Sequence, residues 1–341
     1  MSAPRQPVRF GVIGCGVIAY WSHLRELPHV PGARLAAAAD PDPAARQNAS
    51  LLTRIAVHAD PGELLARSDI DAVIISAPTH LHASLAVAAA QAGKHVYVEK
   101  PLAITAAEAA QAAGAVRGAG VAGAVGFNRR CHPLFEQARA MLDSGVIGPV
   151  HAVQSSFCEP IAEEAMPRWK RTRATGGGVL LDLASHHIDL LRWFFRDEIA
   201  GVHARLASRR TEHDHAWLDV TLRGGIEARG FFSFQAARAD FLEFYGERGV
   251  LRVDRHRPRL SLRTSRRLGY GVRSAMVAPS RDVAAWWLRR LTRPSWEPSY
   301  RRALAAFVEM ISGAPPRLAL LDDGLRNVEA ILAAEAAARP A

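Results

Sequence analysis

The chain has 341 residues, 49% apolar and 22% charged, which excludes a disordered or fibrous protein and exceeds the roughly 250 to 300 residues that one core supports, so two domains are expected. Three cysteines, Cys15, Cys131 and Cys158, form no CxxC pair, which excludes a disulfide framework or a thiolate zinc site, and no apolar run reaches the roughly 18 residues of a spanning helix. The start lacks signal-peptide order, so a cytoplasmic location without stable membrane insertion is expected, and the formal charge of +10 is uneven, with fourteen arginines in residues 252–302 against Asp254, Asp282 and Glu297.

Up to about Gly126 short β-like runs alternate with alanine-rich helical segments: VRFGVIG, ARLAAAAD, IAVHA, DAVIISAP, HVYVEK and VAGAVGF, separated by stretches such as PDPAARQNASLL and ITAAEAAQAAGAVRG. That rhythm predicts βαβ units and a doubly wound parallel sheet. After Asn128 it changes to one helix, PLFEQARAMLDSG, a strand, VHAVQSSF, an apolar helix, and longer strands near 200–260 joined by turns, then two amphipathic helices. The fold class expected is therefore α/β, with a dinucleotide-binding domain over 1–127 and an α+β domain with an open, mainly antiparallel sheet over 128–341.

The first strand runs into Gly14, Gly16 and Ala19, spaced G-x-G-x-x-A and enclosing Val17 and Ile18. The first glycine permits a tight turn, the second admits a pyrophosphate to the backbone, and the small third residue lets helix and strand pack closely. Asp40 ends the second strand, 24 residues past Gly16. A carboxylate there accepts from ribose hydroxyls and repels a 2′-phosphate, which favours NAD over NADP without excluding NADP. The other reading of Asp40 is a helix N-cap, a role open also to Asp42.

In GGGVLLDLASHHIDLL, residues 176–191, Asp182, His186 and Asp189 are spaced i, i+4 and i+7, which puts them on one helical face. His187 is turned away from His186 and reads as structural, while Leu180, Leu183, Leu190 and Leu191 anchor the helix. A metal site on the three ionisable residues is the competing reading; no metal is expected.

With these motifs in order, together with Pro78 and His82 of a P-x-x-x-H turn, the tripeptide Glu99-Lys100-Pro101 and GFNRR, the chain resembles the glucose-fructose oxidoreductase, inositol dehydrogenase and rhizopine-catabolism (Gfo/Idh/MocA) family over nearly its whole length. The resemblance implies an NAD(P)-dependent dehydrogenase interconverting a secondary alcohol and a ketone on a sugar, cyclitol or sugar derivative. It implies catalytic roles for Lys100, Asp182 and His186. It implies cofactor contacts from Pro78, Thr79, His82, Glu99, Lys100, Asn128 and Trp169, beside Gly14, Gly16, Val17, Ile18, Ala19 and Asp40. His186 is the expected proton acceptor, Lys100 its electrostatic partner, and Asp182 the group that orients the imidazole. The E-K-P turn suggests a cis bond before Pro101. Lys170 stands where many members carry arginine, and Ala184 where glycine is usual; both leave the substrate open. Family members pair through the open sheet, so a homodimer or homotetramer is expected. A redox-assisted glycoside hydrolase and a catalytically silent NAD-binding sensor are the alternatives.

The arginine-rich segment, which includes Trp286, Trp287 and Trp296, fits neither nucleic acid nor membrane binding well. It reads as a solvated insertion with its tryptophans packed inward or at an interface. A phosphate-bearing substrate meeting Arg289 and Arg290 is the next reading.

Overall fold

Strand β1 (Val8–Ile13) and the five that follow it, β2 (Ala33–Ala39), β3 (Ala56–His58), β4 (Ala72–Ile75), β5 (His95–Val98) and β6 (Gly123–Val125), make one parallel sheet in the order β3-β2-β1-β4-β5-β6. The structure is a computed structural model that describes residues 6–257, 259–265, 272–293 and 296–340. All six strands coincide with the expected apolar runs. A parallel sheet is covered on both faces, so its central strands carry no polar side: Ala72, Val73, Ile74 and Ile75 are all fully buried. Helices start where the chain supplies acceptors for their first N–H groups, as at Thr105, whose hydroxyl accepts from the Glu108 N–H while the Glu108 carboxylate accepts from the Thr105 N–H in a capping box. Strand order reverses between β1, whose partners are β2 and β4, and the crevice at that switch point is where such sheets take ligands.

The second sheet contains β7 (Val150–Cys158), β8 (Ile199–Ala207), β9 (His215–Leu222), β10 (Glu227–Ser233), β11 (Ala239–Gly246), β12 (Gly249–Asp254), β13 (Arg259–Ser265), β14 (Val272–Met276) and β15 (Arg339–Pro340). Their order is β14-β13-β12-β11-β7-β10-β9-β8-β15, antiparallel except for the β10–β7 and β15–β8 pairs. In β9 the alternation is regular: Ala216, Leu218, Val220 and Leu222 are buried, and the residues between them face outward. The buried side meets Leu190, Leu191 and Phe194 of the helix Ser185–Phe195.

The division of the chain differs from the expected boundary at 127/128. One unit comprises Met1–Cys131 with Glu297–Val328, the other His132–Trp296 with Glu329–Ala341. The helix Pro298–Ile311 belongs to the first because Leu304, Phe307 and Val308 join Phe10, Leu24 and Leu27 in its core, and Ala319 bridges to Val125. Amphipathic spacing shows that a helix has a face to bury without naming the surface that buries it.

Residues 258, 266–271 and 294–295 of the arginine-rich segment lie outside the described residues. Within the rest, Trp286 is 3% exposed and packs edge-on to His132, and Trp287 and Trp296 lie against the same core, as expected of inward-facing tryptophans. Arg289 and Arg290 lie over the rings of Trp296 and Trp286. Arg252, Arg255 and Arg263 are ion-paired with Glu243, Asp254 or Asp240 of the sheet. Among the described residues no helix is long and apolar enough to cross a membrane, and no His, Cys, Asp or Glu cluster could hold a metal ion.

Buried Asp214 holds the loop before β9. It accepts from the N–H groups of Arg209, Arg210 and Thr211, from Gln235 and from His215 Nδ1, while His213 O receives the Val179 N–H at the head of the long helical segment. Burial opposes the charge, yet His215 and the three main-chain donors hold the carboxyl down at about 2. A depressed carboxyl stabilises the fold above its unfolded value and loses that contribution as pH falls through its folded value. Asp214→Asn is expected to cost about 2 kcal/mol at neutral pH. In thermal unfolding the gap between variant and wild type should narrow as pH falls from the ordinary carboxyl range toward 2.

Candidate active site

In the first unit the cradle at the end of β1 has the form its glycines demand. Gly14 has φ +89°, and a Cβ there would come within 2.5 Å of Ser76 O, so both conformation and space exclude any side chain. At Gly16 a Cβ would meet nothing within 4 Å, which leaves the backbone open to an incoming group. Ala19 is fully buried where helix and strand meet, and the large apolar side chains of Val17 and Ile18 stand 69% and 45% exposed at the cradle mouth. Asp40 Oδ2 accepts from the Cys15 N–H at 2.7 Å and Oδ1 from the Asp42 N–H at 2.8 Å, so the carboxylate ties β2 to the glycine loop and keeps lone pairs for hydroxyls. The N-cap of the next helix is Asp42, whose Oδ1 accepts from Ala44. Burial and the neighbouring Asp40 push the Cys15 thiol up to about 12, so it stays protonated. These residues fit a dinucleotide.

The segment carrying Lys100 is held on both sides. After it, His82 lies with Nδ1 2.7 Å from Pro101 O and Nε2 2.7 Å from Ala77 O. Burial lowers the affinity of His82 for a proton against the pull of both carbonyls, and a neutral ring donates to one of them at a time. The Lys100–Pro101 bond is cis, as the tripeptide suggested. His82 was expected at the cofactor; its ring is 2% exposed and spent on the main chain. Glu99 is likewise turned inward, to His23, and Asn128 donates to Ser299 Oγ at 2.9 Å. Thr79 is 2% exposed and Pro78 is half-buried.

The second unit carries Asp182, His186 and Trp169. The helix is not regular where Asp182 sits: Leu180–Ala184 is a π-turn that passes into the α-helix Ser185–Phe195. A π-turn has more residues per turn than an α-helix, so the even three-residue face expected of Asp182, His186 and Asp189 is broken. Asp189 is fully buried, His186 is 9% exposed, and the Asp182 side chain is 15% exposed. His187 is structural as expected: it stacks on Phe157 and places Nε2 3.2 Å from Asp240 Oδ1.

Asp182 has a partner the sequence reading did not assign it, Lys170, whose Nζ lies 2.6 Å from Asp182 Oδ2. The glycine triplet makes this contact possible. A Cβ on Gly177 would stand 2.4 Å from Lys170 O and 2.7 Å from Thr172 O, so only glycine lets the turn Arg168–Lys170 lie against the head of the helix. One signal in the sequence could have found it. Of 43 basic side chains only Lys94, Lys100 and Lys170 are lysines, so in an arginine-rich chain each lysine marks a place where a compact, titratable charge replaces a fork. Lys94 caps two carbonyls, Arg67 O and Ile70 O.

Comparison with known proteins identifies the fold's relatives. Residues 8–127 match the model of the oxidoreductase family with an NAD-binding Rossmann fold, and residues 135–252 match a Gfo/Idh/MocA C-terminal domain. Inositol 2-dehydrogenase 2 of Saccharopolyspora erythraea is 31% identical over 335 residues, covering 93% of this chain and 89% of that one. The chain belongs to the Gfo/Idh/MocA family of NAD(P)-dependent oxidoreductases. Another relative of this family, a dTDP-3,4-didehydro-2,6-dideoxy-α-D-glucose 3-reductase of Actinomadura kijaniata, is 32% identical over 74% of this chain and 76% of its own. The solved structure of a 3-ketoreductase from the same organism, with NADP and TDP-benzene, superposes with a TM-score of 0.82 at 27% identity, over 98% of this chain and 99% of that one.

Lys170→Met removes the ammonium from a mostly buried carboxylate. It is expected to destabilise the protein by about 1 to 3 kcal/mol in thermal unfolding, with Lys170→Arg, which keeps the positive charge, recovering most of the loss.

Proposed function

We propose that the protein interconverts a secondary alcohol and a ketone on a sugar, cyclitol or sugar derivative. The observation that carries this reading is the presence in one chain of an intact dinucleotide cradle, Gly14, Gly16 and Asp40, of Lys100 on a tightly held turn in the first unit, and of Asp182 and His186 in the second. The names of the relatives, inositol dehydrogenases and a sugar 3-reductase, agree with it.

Bound NAD(P) supplies the hydride acceptor or donor. Oxidising a carbinol requires a base for the hydroxyl proton, and His186 takes that role because imidazole exchanges a proton near neutral pH. The Lys100 ammonium stabilises negative charge on the substrate oxygen as the proton leaves. Asp182, held by Lys170, presents a fixed carboxylate toward substrate hydroxyls or the imidazole. The Asp40 carboxylate favours NAD through its repulsion of a 2′-phosphate.

The test is NAD reduction on a panel of inositols, aldoses and nucleotide sugars. Wild type should turn over at least one member, and Lys100→Met and His186→Asn should each lose about 100-fold or more in kcat while still binding NADH. Full turnover by either variant would remove that residue from the chemistry. Cleavage of glycosides without net NADH would replace the dehydrogenase by a redox-assisted hydrolase.

The protein also forms a homodimer or homotetramer through the outer face of its second sheet. Support comes from Trp217, 40% exposed there with Phe231 and Arg229 against its ring. Light scattering after size exclusion should give a multiple of 37.0 kDa, shifted toward the monomer by Trp217→Glu.

A further inference from the structure

The first unit contains a buried histidine–carboxylate contact that the chemistry above does not use. His23 ends the π-turn Ala19–His23 that follows the glycine loop; its side chain is fully buried, and Nε2 lies 2.8 Å from Glu99 Oε1. Glu99 is 7% exposed and is the residue before Lys100. Its N–H donates to Ile75 O at 2.8 Å, and a Cβ on Gly126 would come within 3.0 Å of its carboxylate, so only glycine leaves room for that side chain. Tyr97 and Glu99, two apart on extended backbone, leave it on one face, and the Tyr97 ring meets His23 edge-on.

Stability does not account for the pair. A desolvated His–Glu contact is no stronger than apolar side chains of similar volume. Here it is accompanied by two further buried polar atoms, His23 Nδ1 and Tyr97 Oη, with no hydrogen-bond partner among the described residues. Such atoms are uncommon and unfavourable. What the pair does have is location. It joins the helix that opens at the dinucleotide cradle to the residue preceding Lys100, and on the far side of Lys100 the carbonyl of Pro101 is held by His82.

We propose that His23 and Glu99 are a positioning couple for Lys100, fixing the lysine relative to the cofactor cradle. The inference rests on the reading of Lys100 given above. With Glu99 as the acceptor in reach of Nε2, the ring carries its proton there and donates it to the carboxylate. Removing the donor releases the carboxylate, and the turn carrying Lys100 loses one of its anchors. A shift of about 1 Å in a reacting group is enough to cost about 100-fold in rate.

The experiment compares wild type, His23→Leu, His23→Gln and Glu99→Gln as full-length protein with two readouts. Steady-state kinetics on a substrate found above should show kcat lower by roughly 10- to 100-fold in His23→Leu, with NADH affinity little changed and partial recovery in His23→Gln, which restores an N–H donor. Acylation by an amine-selective reagent at fixed, mildly alkaline pH, read by mass spectrometry with Lys170 and Lys94 as internal references, should modify Lys100 several-fold faster in His23→Leu and Glu99→Gln. A folded His23→Leu or Glu99→Gln with wild-type Lys100 labelling and wild-type kcat overturns the proposal. Labelling does not depend on turnover. If Lys100→Met keeps full activity, the catalytic reading of Lys100 falls while labelling still decides whether the couple holds that lysine.

Discussion

An ionised carboxylate is kept out of water only where donors are committed to it, and the candidate residues of each unit are arranged by that constraint. Asp40 is tied to the Cys15 N–H of the glycine loop, Glu99 to His23, and Asp182 to Lys170, while Asp214 gathers three main-chain donors from the loop leading into β9. Each carboxylate links a strand or helix end to a segment that must not move.

Glycine supplies the complementary constraint, absence of volume. At Gly14 the chain turns against the carbonyl of Ser76, and at Gly177 it passes the carbonyls of Lys170 and Thr172 closer than any side chain allows. The first contact shapes the cradle, and the second seats Lys170 on Asp182. The two glycine motifs therefore have different uses. One leaves room for a ligand, the other for the chain's own backbone.

Much of this was legible beforehand, for identifiable reasons. The six strands of the first sheet were readable because strands buried on both faces are continuous apolar runs punctuated by glycine and capping residues. Asp182 and His186 were readable because ionisable residues inside an apolar helix stand out. The partner of Asp182 was not. Spacing pointed along the helix to His186, but the π-turn alters the face and the cation comes from a segment more than ten residues earlier. His23 was hidden for the opposite reason, since a histidine at helical spacing among apolar residues looks like core, and only the return of β5 brings Glu99 to it.

The sequence by itself determined the alternation of strands and helices, the dinucleotide cradle and the identity of the ionisable side chains, because periodicity, turn residues and local spacing are properties of neighbours along the chain. The tertiary structure decided which carboxylate meets which donor, that the helix Pro298–Ile311 returns to the first unit, and that His82, Glu99 and Asn128 meet Pro101 O, His23 and Ser299. Those facts depend on contacts between residues tens to hundreds of positions apart, and a buried polar group takes whichever partner the packing brings within hydrogen-bond reach.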